Sequence, residues 1–140
     1  MIRDLAASGV SSIFVLMLGA APYAAADPAA PSADLSGQWQ SSDYECPAGV
    51  KHTEQLQITQ SGSHISAVKT LGDDCVKTGH ESFVGTVSGN SGKVRSWLGA
   101  VGYDPILSTS DENLVIKDAN TFTVSGVGNN LTVTRVTTSN

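Results

Sequence analysis

The sequence predicts an all-β protein: a single closed, up-and-down antiparallel barrel of eight strands carrying one disulfide. Three observations predict it. Short runs of alternating apolar and polar residues recur from Asp34 to Asn140, with no sustained helical period. Turn sequences rich in Gly, Asn and Ser separate the runs. The connections alternate between tight and long, and in an up-and-down barrel this gathers the long ones at one open end. Composition agrees, with 14 glycines among 140 residues and only 15% charged residues.

Residues 1–26 read as an export signal. Met1–Arg3 supply a weakly positive start, and Val10–Ala20 is an apolar run too short to span a bilayer. Ala24-Ala25-Ala26 fits a small-x-small cleavage site before Asp27, and no Cys follows it to carry a bacterial lipid anchor. Residues 27–34 (DPAAPSAD) then form a flexible linker, and 35–140 the barrel domain. The expected product is soluble and exported, either secreted or periplasmic.

The strands are expected at 36–42, 53–60, 64–70, 81–88, 93–99, 113–118, 121–125 and 131–137. Ser61-Gly62-Ser63, Gly89-Asn90-Ser91-Gly92 and Asp118-Ala119-Asn120 have tight-turn chemistry and join strands two to three, four to five and six to seven. With strand one running up, these turns lie at the bottom. The connections 43–52, 71–80 and 100–112 lie at the top, with the Gly-rich link Gly126–Asn130. Side-chain parity then selects an inner face: Leu56 and Ile58; Ile65, Ala67 and Lys69; Phe83, Gly85 and Val87; Val94 and Leu98; Leu114 and Ile116; Phe122 and Val124; Leu131, Val133 and Arg135. Two charges, Lys69 and Arg135, interrupt it, and a charge on a buried face needs a partner.

Cys46 and Cys75 fall in adjacent top loops. In an oxidising compartment a disulfide is the default. Closing a loop of 29 residues contributes roughly 3.5 kcal/mol by chain entropy. Metal binding by these cysteines lacks CxxC or Cys-His spacing. The net charge of −5, with no Lys/Arg cluster, argues against nucleic acid and against polybasic membrane contact.

Gly37-Gln38-Trp39 opens the first strand, and Arg135 sits in the last. Here the chain resembles the calycin superfamily, the lipocalin-like barrels. The resemblance implies that Trp39 plugs the closed end and that Arg135 stacks across it, a structural pairing. Residues 67–83 are similar to the segment A-x-K-x-x-G-D-x-x-V-P-x-G-x-x-x-F of exported bacterial lipocalin-like barrels of unknown role. A similar segment occurs in the substrate-binding barrel of a eukaryotic F-box receptor. Ala67, Lys69, Gly72, Asp73, Val76, Gly79 and Phe83 match, and Lys77 stands in place of the Pro. Without an F-box module, ligase work is not expected. The resemblance supports the fold more than the function, and leaves open binding of a short peptide or its C-terminus at the mouth.

No catalytic motif is present: G-x-S-x-G, a complete P-loop and H-E-x-x-H are all missing. His52, His64 and His80 lack ligand spacing, although His52 and His80 fall at the same end, where a metal or proton-transfer pair is a minor alternative. The top-loop carboxylates Asp43, Glu45, Asp73, Asp74, Asp104, Asp111 and Glu112 read as solvated charge. The candidate ligand contacts are Lys69, Trp97, Tyr103 and His80. Lys69 either holds a ligand carboxylate or bridges to Asp73 or Asp74, the bridge being favoured. Trp97, out of phase with Val94 and Leu98, faces outward as a contact residue or packs under loop 100–112. The expected function is non-enzymatic, cofactor-free binding of a small amphiphile or peptide end. The alternative is a packed barrel acting through its outer surface or acidic rim.

Overall fold

The computed structural model describes residues 33–46, 49–126 and 129–137. The expected export signal and most of the expected linker lie outside them. Eleven strands follow in order: β1 (Gly37–Ser41), β2 (Tyr44–Glu45), β3 (Lys51–His52), β4 (Gln55–Ser61), β5 (His64–Leu71), β6 (Glu81–Ser88), β7 (Ser91–Leu98), β8 (Ile106–Leu107), β9 (Glu112–Asp118), β10 (Thr121–Gly126) and β11 (Asn129–Arg135). Eight of them close a ring, β1-β4-β5-β6-β7-β9-β10-β11, with every neighbour antiparallel. The expected barrel is therefore the observed one. β2 and β3 form a small hairpin within the first top loop, and β8 pairs with the upper end of β7; neither was expected.

The bottom turns form where the sequence puts them. Gly62 and Gly89 each hold φ +60, the left-handed conformation that a two-residue hairpin requires. The Gly-rich link at the top is tighter than expected, since β10 and β11 already pair at Gly126↔Asn129.

Inward parity fills the lower barrel with Trp39, Leu56, Ile58, Ile65, Ala67, Phe83, Val87, Val94, Leu114, Ile116, Phe122, Val124 and Val133, all buried. Phe122 packs edge-on against Trp39 at 4.9 Å and faces Phe83 at 6.3 Å. Trp39 pairs in register with Arg135 across the β1–β11 seam. The guanidinium carbon lies 4.2 Å from the indole centre, a cation–π contact worth about 0.5–2 kcal/mol. Arg135 also donates to the carbonyls of Ser36 (2.7 Å), Asp34 (3.0 Å) and Ala119 (3.1 Å). One side chain thus ties the start of β1 and the β9–β10 turn to the end of β11 at the bottom of the barrel.

Candidate functional site

The inner face changes character toward the mouth. Above the apolar layers, Ser41, Glu54, Lys69, Ser82 and Glu112 are buried polar residues, at the upper ends of their strands or, for Glu54, just before β4. Parity accounts for most of them. Glu54 is in phase with Leu56 and Ile58, Lys69 with Ile65 and Ala67, and Glu112 with Leu114 and Ile116. Ser82 is different. The β5–β6 register moves from Ala67↔Phe83 to Val68↔Glu81, and this bulge turns Ser82 inward beside Phe83.

Lys69 is the centre of the layer. Its ammonium lies 2.8 Å from Glu54 Oε2 and 3.2 Å from Asp73 Oδ2, with side-chain exposures of 5%, 3% and 1% respectively. It also donates to the Tyr44 hydroxyl at 3.2 Å, so all three of its protons have acceptors. The bridge to Asp73 is thus the observed alternative for Lys69, and the partner Glu54, just before β4, was not foreseen. Ser82 Oγ donates to both Glu54 oxygens, at 3.2 and 3.0 Å. The Glu54 backbone N–H donates to Ser41 Oγ at 3.1 Å.

Asp73 divides its two oxygens between two tasks. Oδ1 accepts the backbone N–H groups of Cys75 (2.7 Å) and Val76 (2.8 Å), which shapes the loop. Oδ2 accepts from Lys69 and from the Tyr44 hydroxyl. Burial alone would raise the Asp73 pKa. The Tyr44 and backbone donors and the Lys69 charge overcome it, and the net direction is down from the ordinary 3.8. Burial, then the hydrogen bond to Asp73, pushes the Tyr44 phenol far above its ordinary value. Tyr44 arrives from the β2–β3 hairpin. That hairpin is joined to the Asp73 loop by the Cys46–Cys75 disulfide, with Cα atoms 6.1 Å apart. Covalent and ionic ties therefore link the same two loops.

A cavity of about 240 Å3 opens beside this network, lined by Tyr44, Glu54, Lys69, Ser82, Ser96 and Leu131 among others. Trp97 also borders it, half-buried on β7 and paired in register with Leu107 of β8. Its indole N–H donates to Glu81 at 3.1 Å, and its ring meets His80 edge-on at 4.9 Å. His80 and Tyr103 instead border a second recess of about 310 Å3, between loop 71–80 and loop 100–105, with Asp74, Lys77 and Asp104. The four expected ligand contacts therefore divide: Lys69 and Trp97 at the mouth cavity, His80 and Tyr103 at the outer recess. Tyr103 is 78% exposed.

Glu112 corrects the reading of the loop carboxylates as solvated. It begins β9 and is fully buried. Asp73 likewise belongs to the buried network rather than to a solvated rim. No contact joins His52 to His80: His80 Nδ1 lies 2.9 Å from the Glu81 carbonyl, and His52 tilts against Tyr44 at 6.3 Å. Among the described residues, the acidic and sulfur groups with metal-like spacing are Cys46, Asp73 and Cys75. The two sulfurs are spent on the disulfide, which removes them as thiolate ligands. No described helix is long and apolar enough to cross a membrane.

No protein family, no curated protein and no solved structure matches this chain.

Proposed function

We propose that the protein is an exported, non-enzymatic binding module that takes a small molecule at the barrel mouth. The observation that carries this reading is the 240 Å3 cavity set directly against a buried, hydrogen-bonded ionic network. Binding sites combine enclosure with a few fixed polar groups, and the size suits a ligand smaller than a typical drug. The resemblance of Gly37–Trp39 with Arg135, and of residues 67–83, to exported lipocalin-like barrels supports a binding mouth. The disulfide is compatible with an oxidising compartment.

A second reading rests on a different observation. Val50, Leu71, Val101, Tyr103 and Ile106 are exposed large side chains at the mouth end, Leu71 as the last residue of β5 and the others within the long connections. They suit a protein partner docked over the mouth. Native mass spectrometry of the protein purified from its own host separates the two. A mass excess of a few hundred daltons, lost on denaturation, is expected. A bare mass, with no small molecule from a fragment library raising the melting temperature, would move the function to the outer surface.

A further inference from the structure

The mouth cavity has two unlike walls. Lys69 on β5, Ser82 on β6 and Ser96 on β7 supply one, with Glu54 just before β4. Those strands are consecutive in the ring, β4-β5-β6-β7, so their polar groups form one arc. Leu131 lies on β11, which stands across the ring from β6. Val76 and the Cys46–Cys75 disulfide add apolar surface from the loops. An occupant therefore needs a polar edge and an apolar face.

Charge is already settled on the polar arc. Lys69 spends all three ammonium protons on Glu54, Asp73 and Tyr44, so it has none for a ligand carboxylate. An anion there also meets the Glu54 and Asp73 carboxylates, and a cation meets the Lys69 ammonium. Either ion gives up its water for a wall that holds a like charge. Glu45 borders the cavity too, but it is exposed, where water and salt screen it. These walls suit an uncharged occupant.

Hydrogen-bond capacity remains. Glu54 Oε1 accepts from Ser82 at 3.2 Å, while the ammonium sits on Oε2. A carboxylate oxygen has room for a second donor. Ser82 gives its one proton to Glu54 and keeps acceptor lone pairs. The Ser96 hydroxyl makes no hydrogen bond among the described residues, so it can both donate and accept. Spare acceptors thus outnumber the one spare donor. That ratio asks for O–H groups on the ligand rather than carbonyls or ethers, which only accept.

We propose that the mouth cavity holds an uncharged cyclic polyol, a six-membered ring whose hydroxyl edge meets Glu54 Oε1, Ser82 and Ser96 and whose carbon face lies toward Leu131 and Val76. The inference rests on the binding reading above and adds the ligand's chemical class. The volume of about 240 Å3 is below the roughly 300–1,000 Å3 of drug-sized pockets, and suits a single ring better than a fused ring system.

The test titrates four ring probes of similar size into the purified, disulfide-bonded protein, followed by amide NMR shifts: cis-1,2-cyclohexanediol, cyclohexanone, cyclohexylammonium and cyclohexanecarboxylate. Saturable binding is expected for the diol, with shifts around Glu54, Ser82 and Ser96. The two ions should bind about tenfold more weakly, and the ketone about fivefold more weakly. Ser96→Ala should weaken the diol about fivefold while the melting temperature stays near that of the parent chain. An ion or the ketone binding as tightly as the diol overturns the polyol and leaves the cavity as a binding site. Unchanged diol affinity in S96A overturns the polyol in the same way. Binding of none of the four, or shifts centred on His80 and Tyr103, overturns both the polyol and the mouth reading. The probe comparison needs no variant, so it stands even where S96A folds poorly.

Discussion

Lys69 is placed so that either neighbour becomes a liability without it. Lys69→Met should leave Glu54 and Asp73 as buried carboxylates facing each other, and lower stability by about 3–5 kcal/mol in urea unfolding. Adding Glu54→Gln should recover part of that loss; a double variant no more stable than K69M would show that the pair is not coupled. The pH dependence follows from Asp73 and Tyr44. Asp73 titrates below its ordinary 3.8 in the fold. Its contribution is therefore complete above that value and lost as pH falls through the lower native one. Asp73→Asn should flatten the acid limb of a stability–pH curve. Tyr44 titrates above its ordinary 10.0, so its contribution is complete below that value and lost at higher pH. Tyr44→Phe should flatten the alkaline limb, read from urea midpoints across the range. These residues also give the matched segment a physical meaning. Ala67 and Phe83 pack the core, Asp73 shapes the loop and anchors the ammonium, and Val76 is buried beneath.

At the scale of elements, parity was enough to predict eight strands and their faces, and the alternation of tight and long connections predicted the closed barrel. It also contained more of the site than was taken from it. The expected strand 53–60 already held Glu54 in phase with Leu56, and Glu112 fell one residue outside the expected 113–118. Ser82 was unreadable, because a bulge reverses local parity without any signature in its own residues. Tyr44 was unreadable for another reason: its hydroxyl reaches Lys69 from a loop 25 residues away in sequence. Loop placement depends on close approach as well. Gly99, just past β7, lies against the Cys75 carbonyl where a side chain has no space. Gly99→Ala should therefore displace the disulfide loop and cost about 1–3 kcal/mol. Thermal melting should show a lower midpoint, with NMR shifts centred on 73–76; unchanged values would show the loop to be free of β7.

Across the whole molecule, the barrel has an apolar closed end and a polar, strapped mouth. The strap is the disulfide between the Tyr44 hairpin and the Asp73 loop. Its two cysteines replaced by serine should lower stability by roughly 3 kcal/mol, most of it through the unfolded chain. The Trp39–Arg135 end should remain intact, with tryptophan fluorescence reporting the buried Trp39. A redistribution of the NMR shifts to the bottom strands instead would show that the strap supports the entire barrel.

The seam has a consequence for how the molecule can be held. β1 begins and β11 ends at the same pole, opposite the opening, and Arg135 clasps both there. A chain attached to a surface or fused to another protein through either end would stand like a cup on its base, with the opening directed outward. Attachment at the rim would block it.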